Sequence, residues 1–332
     1  MAEIRLDSIS KSFGDTKAVK DMSLTIEDGS FIVLLGPTGA GKTTTLRLIS
    51  GLEKPDTGEI FVDGRMVNND TPAQRDMAMV FQQYSLYPHL RVRENLAFPL
   101  KSPVLKTPAD AIERKVNEVA KVLGIDHKLD NKATELSGGE MQRVSIGRAL
   151  VRSPSIYLMD EPLSSLDAKL RADLRVELKR IHAELGATFL YVTHDQIEAM
   201  TMASHVGVLD EGKLIQFGSP REIYEDPVSV YAAARLGLPR INLVPADLFG
   251  SKGPKNADQI GLRPEHIKLG RGKAAVVKRV EHLGDQKRLH LDVAGHDLIT
   301  LIAPDASATP GETQKVSIQN PLYFDRQGDR IR

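Results

Sequence analysis

The sequence contains no cysteine. Disulfides and thiolate metal sites are excluded, and this usage fits a reducing compartment. It also lacks net charge, since 44 basic residues balance 44 acidic ones. Nucleic-acid binders usually carry a basic excess, so no nucleic-acid partner is expected. Long apolar runs are missing too. Stretches such as FIVLLG, Phe31–Gly36, fall far short of the roughly 20 residues that cross a bilayer as a helix. The opening MAEIRLDSISKSFGD is charged from its third residue and has no apolar core, which predicts no secretory leader. Any link to a membrane must then run through a partner. Internal repeats and low-complexity tails are absent as well.

What remains is an ordinary globular composition, 41% hydrophobic and 27% charged over 332 residues, enough for about two domains. Up to about residue 235, short apolar runs feed helical patterns: FIVLLG into GKTTTLRLISGL, SIYLMDEP into DAKLRADLRVELKRIHAELG, and TFLYVTHD into QIEAMTMA. Buried strands followed by helices indicate an α/β domain, 1–235, with a mainly parallel sheet. The strand signal vanishes over about 85–150, where AIERKVNEVAKVLGI reads as an amphipathic helix, so this part is a helical insertion. From 236 to 332 short alternating strands, among them RLHLDV and DLITLIA, are separated by Gly, Asp and Pro turns. They predict a small all-β domain of open-barrel type. Its His282, His290 and His296 lack ligand-like spacing and read as surface or packing residues.

The segment GPTGAGKTT, Gly36–Thr44, lies between a strand and a helix and fits G-x-x-x-x-G-K-[ST]. Such a loop (Gly36, Pro37, Thr38, Gly39, Ala40, Gly41) wraps a phosphate with backbone N–H groups, and the helix N-terminus adds positive potential. Lys42 reaches the β- and γ-phosphates, and the Thr43 hydroxyl, beside Thr44, binds Mg²⁺. In SIYLMDEP an apolar strand ends in Asp160 and Glu161, at the sheet edge where ligands bind. Asp160 suits Mg²⁺ through water, leaving Glu161 to activate the attacking water. His194 ends another apolar strand; it is either a solvated strand end or a contact to a γ-phosphate. Gln82, in MVFQQYSLYPHL, could touch Mg²⁺ or orient water. Phe13 could stack on a base or belong to the core.

The stretch LSGGE, Leu136–Glu140, opens a further helix. Ser137 is a good N-cap, and Glu140 stands where a capping box places Glu or Gln. Two glycines between them leave bare backbone, as if another group came close. The helix start is a second anion site. With one P-loop in the chain, it serves either another ligand or the nucleotide of another chain.

Taken in order, GPTGAGKTT, FQQYSLYPHL, LSGGE, IYLMDEP, SSLD and VTHD resemble the ATP-binding cassette subunits of ABC transporters over about the first 235 residues. The tail, from GLRPEHIKL onward, is similar to the TOBE regulatory and dimerisation domain of importer ATPases, and the whole most resembles the maltose-importer type. The resemblance implies an ATPase, with ATP and Mg²⁺ as ligands, that drives uptake of a sugar or glycoside. Importers of polyamine, sulfate, iron or phosphonate share the architecture and are the alternative; soluble cassettes of translation or DNA repair are a more distant one. It implies that Phe13 stacks on adenine, Gln82 links Mg²⁺ to the helical insertion, and His194 is the switch histidine. Ser137, Gly138 and Gly139 would meet the γ-phosphate held by a second copy, and Asp167 would lie at the subunit interface. Implied partners are that second copy, two transmembrane permease subunits and, indirectly, a solute-binding protein, with the chain peripheral on the cytoplasmic face of the membrane. The family signature commonly ends in Gln where this chain has Glu140.

Overall fold

The computed structural model describes residues 2–102, 105, 107–250 and 253–332. Two compact units emerge, Met1–Pro220 and Arg221–Arg332.

In the first unit, β1 (Ile4–Phe13) and β2 (Thr16–Ile26) form a hairpin, and β3 (Phe31–Leu35) leads into α1 (Lys42–Ser50). Then come β4 (Thr57–Val62), β5 (Arg65–Met66) and β6 (Met77–Val80). Helices α2 (Val92–Ala97), α3 (Ala109–Val122) and α4 (Gly138–Leu150) follow, with no intervening strand among the described residues. The unit closes with β7 (Ile156–Asp160), α5 (Ala168–Leu185), β8 (Thr188–Thr193), α6 (Gln196–Met202), β9 (His205–Asp210) and β10 (Lys213–Gly218).

The main sheet has the order β10-β9-β3-β8-β7-β6 and is parallel except for its edge strand β10. FIVLL, IYLMD and TFLYVT are buried at every position, as strands covered on both faces require. Adjacency in the order β3-β8-β7 matters most for function. Leu35 pairs with Thr193 and Asp160 with Val192, so the residues that follow these strands emerge side by side at one edge.

A second sheet, antiparallel with the order β2-β1-β4-β5, is not evident in the sequence. Ile4, Leu6 and Ile9 are buried, but the register shifts between Leu6 and Ile9, where Ser8 takes a φ of 49°. Such a bulge breaks the period-two signal by which a half-buried strand is recognised.

In the second unit, two short helices, α7 (Pro220–Glu225) and α8 (Val230–Arg235), precede eight strands. These are β11 (Asn242–Pro245), β12 (Gln259–Leu262), β13 (Ile267–His282), β14 (Lys287–Val293), β15 (His296–Ile302), β16 (Thr313–Ile318), β17 (Leu322–Phe324) and β18 (Arg330–Ile331). They build two four-stranded antiparallel sheets, β11-β12-β17-β18 and β15-β14-β13-β16. Val244, Ile260 and Leu262 of one sheet share a core with Val277, Leu289 and Leu291 of the other. The unit begins before residue 236 because Arg263 ties the helices to the sheets. Its buried guanidinium donates to the carbonyls of Tyr224 (2.7 Å), Ala233 (3.0 Å) and Leu236 (2.6 Å). A cation at helix C-termini satisfies otherwise orphaned carbonyls. His290 rests 3.1 Å from Glu281, a packing role.

Candidate active site

The phosphate-type loop runs from the end of β3 to the start of α1. Gly41 is the N-cap of α1 with a φ of 95°, and a Cβ there would lie 2.4 Å from the carbonyl oxygen of Ala18. Only glycine fits both the dihedral and the space. No side chain caps α1 and no acid occupies its first turn, so its N–H groups and positive end stay open for an anion. Thr38 and Gly39 form the exposed tip, while Gly36 and Ala40 are buried beneath it, with Pro37 and Thr44 half-buried.

Lys42 is buried, and its ammonium donates to the carbonyls of Gly36 (2.9 Å) and Pro37 (3.0 Å). It also lies 3.4 Å from Oε1 of Glu161. The Thr43 hydroxyl donates to Oδ1 of Asp160 at 2.8 Å. Burial pushes the Asp160 carboxyl up, the Thr43 hydrogen bond pulls it down, and neighbouring Glu161 raises it further. Among the described residues no group of three metal-ligating side chains forms. Mg²⁺ needs no such cage, being held by one or two protein oxygens plus phosphates and water. A buried carboxylate beside a hydroxyl, costly to leave ionised without a cation, fits that demand.

Glu161 sits just past β7 with a φ of 43°, fixed by its N–H to the Val192 carbonyl at 3.1 Å. For a residue with a Cβ this conformation costs on the order of 1 kcal/mol. It separates the two carboxylates, so that Asp160 turns toward Thr43 while Oε2 of Glu161 lies 3.0 Å from Nδ1 of His194. His194 is more than half exposed at the end of β8. The next residue, Asp195, caps α6 through Ile197 N (2.7 Å) and Glu198 N (3.4 Å) and fixes the chain behind the histidine. The pattern D-Q-I-E carries that cap in the sequence.

Other expected site residues stand apart from this cluster. Gln82 is exposed on the loop after β6, and among the described residues nothing hydrogen-bonds its side chain, so it is not joined to Thr43 or Asp160. Phe13 is 46% exposed at the end of β1, with Lys11 5.3 Å over its ring, and is not part of the core. Beside it, a cavity of about 420 Å³ is lined by Thr16, Lys17, Lys20, Gly39 and Glu211, among others. Lys17 and Lys20 went unread in the sequence because no motif marks them. Asp167 is the N-cap of α5, accepting from Leu170 N at 3.0 Å.

At LSGGE the capping box is present. Glu140 Oε2 accepts from the N–H (2.8 Å) and hydroxyl (2.9 Å) of Ser137, whose Oγ is 3.4 Å from the Glu140 N–H. The Ser137 N–H above all holds the Glu140 carboxyl below its ordinary range, with its hydroxyl and Lys128 helping. The cap's contribution is present above the ordinary Glu value, about 4.3, and is lost as acid titrates the lowered group. At both glycines a group of the same chain comes close. Gly139 is buried, and a Cβ there would lie 2.0 Å from Cδ2 of Leu170, so its missing side chain makes room for α5 of the same chain. At Gly138 a Cβ would come within 3.1 Å of the Tyr84 hydroxyl. Ser137 itself is exposed.

Residues 19–164 match the ABC transporter family and residues 260–320 the TOBE domain. The chain is 43% identical to the trehalose/maltose import ATP-binding protein MalK of Thermococcus litoralis, over 89% of each chain. It is 46% identical to the sn-glycerol-3-phosphate import ATP-binding protein UgpC of Brucella abortus, over 100% of this chain and 99% of the relative. The chain belongs to the ABC transporter family. It is an ATP-binding, ATP-hydrolysing cassette subunit with a C-terminal TOBE domain. The cassette also matches a dimeric post-hydrolysis structure of the ATP-binding cassette MJ0796 with ADP and phosphate. That likeness has 31% identity and a TM-score of 0.59, and covers 66% of this chain and 99% of the other. No helix among the described residues is long and apolar enough to cross a membrane.

Because either side chain at 140 completes the box, Glu140→Gln is expected to leave this cassette's ATPase rate within about threefold. A hundredfold gain in steady-state turnover would show instead that the carboxylate opposes a phosphate.

Proposed function

We propose that this cassette powers import of a sugar or glycoside, working as an ATP-sandwich dimer on the cytoplasmic face of a membrane. The observation that carries the catalytic part is the placement of Glu161 between Lys42 and His194. The P-loop N–H groups and Lys42 bind the triphosphate, and Phe13 stacks on the adenine beside the Lys17–Lys20 cavity. Thr43 and Asp160, with Gln82 from the loop after β6, would hold Mg²⁺, which would supply positive charge to the bound triphosphate. Glu161 accepts a proton from water as the water oxygen bonds to the γ-phosphorus and the bond to the β,γ-bridging oxygen breaks. Lys42 stays within reach of the oxygens that gain charge, and His194 steadies Glu161 and contacts the γ-phosphate.

Ser137, Gly138 and Gly139 of one copy face the γ-phosphate bound to the other, with Asp167 at the subunit interface. Closure of that sandwich excludes water, and loss of the γ-phosphate releases it. Permease subunits dock near a cavity of about 270 Å³ lined by Phe81, Phe98, Arg148 and Arg152, among others, and receive solute from a binding protein. Apolar rings beside cations suit a partner helix with an acidic or polar tip. The sugar class rests on relatives named for import of trehalose/maltose and of sn-glycerol-3-phosphate, and for transport of sulfoquinovosyl glycerol (Agrobacterium fabrum; 41% identity over 96% of this chain and 95% of the relative).

Lys42→Ala in the native host is the test. Uptake of one or more labelled sugars, glycosides or glycerol phosphates should fall to background while polyamine and sulfate uptake stay normal. The reverse pattern would overturn the solute assignment.

A further inference from the structure

One hydroxyl lies where three loops meet. The loop after β6 is pinned to α4, since the Arg148 guanidinium lies 4.8 Å over the Tyr87 ring and donates to the Ser85 carbonyl. From this pinned loop Tyr84 reaches two other segments. Its hydroxyl is 3.2 Å from Oγ of Ser165, two residues before the Asp167 cap of α5. It also packs against the backbone at Gly138, where even a methyl group would be crowded at 3.1 Å. The same tyrosine forms part of the wall of the 270 Å³ cavity with Phe81, Phe98 and Arg148.

We propose that Tyr84 is a positioning residue whose hydroxyl sets the Ser165–Asp167 loop and the LSGGE helix start in one register, presenting both to a partner cassette as a unit. This rests on the ATP-sandwich reading above. Neither contact touches the chain's own Lys42, Asp160 or Glu161, so nucleotide binding to one copy does not depend on it. Joining two cassettes does, because Ser137 and Asp167 must arrive together. The contact also gives the cavity wall a direct hold on both segments, so a partner that moves the wall moves them.

Full-length chain carrying Glu161→Gln, which should trap ATP-bound dimers, serves as the parent. Its ATP-dependent dimerisation is measured by sedimentation, alone and with Tyr84→Phe, Ser165→Ala or both. Each single change should weaken dimerisation about fivefold, the scale of one hydrogen bond, and the double should be no worse than either single. Binding of a fluorescent ATP analogue to the monomer and the melting temperature should not move. Unchanged dimerisation overturns the role, as do additive losses or a parallel fall in monomer binding or melting temperature. A parent that stays monomeric in ATP overturns the sandwich reading itself and this role with it.

Discussion

Glu161→Gln should bind ATP as tightly as the parent chain and hydrolyse it about 10²–10⁴-fold more slowly, the usual contribution of a positioned general base. The amide fills the same volume and can still hydrogen-bond His194, so the pocket keeps its shape. What disappears is the proposed proton acceptor. The Lys42 contact at 3.4 Å becomes an ion–dipole contact, leaving the ammonium freer for phosphate. The check pairs equilibrium ATP binding with single-turnover hydrolysis. Near-normal turnover would remove Glu161 from its role, and joint loss of binding would make it a structural residue of the loop.

The second large effect concerns two chains at once. Lys42→Ala removes the charge in the cradle, and Ser137→Arg places a bulky side chain where the signature would meet phosphate. Each variant alone should be inactive. Mixed in equal amounts, they should recover about a quarter of the wild-type ATPase rate. In a two-fold dimer half the molecules are mixed, and each mixed dimer has one composite site with both defects and one with neither. If each LSGGE served its own chain's loop, every site would carry a defect and mixing would recover nothing.

Why some of this site is readable in one dimension follows from the sheet. Gly36, Asp160 with Glu161, and His194 each fall at or just past the end of a strand whose every residue is buried. A polar residue ending an all-apolar run is conspicuous, and in a parallel sheet such ends share one edge. The order β3-β8-β7, which brings Lys42, His194 and Glu161 to one edge, is a tertiary choice that local pattern does not encode. The hairpin of β1 and β2 was hidden by bulges, and the start of the second unit by Arg263, whose carbonyl partners lie 27 to 39 positions away. At LSGGE the cap was legible because it is local. The groups that approach the glycines were not, because Leu170 and Tyr84 come from elsewhere in the chain. At Gln82 the motif position is recognisable in the sequence, and its side chain stands exposed on the loop after β6, apart from Thr43 and Asp160.

The trans arrangement is tested most directly by photo-crosslinking. An ATP analogue with a photoreactive γ-phosphate is bound to untagged Glu161→Gln chains paired with tagged chains carrying Lys42→Ala, which cannot hold the nucleotide themselves. The label should map to Ser137–Gly139 of the tagged chain. Label confined to Ser137–Gly139 of the untagged chain would contradict it.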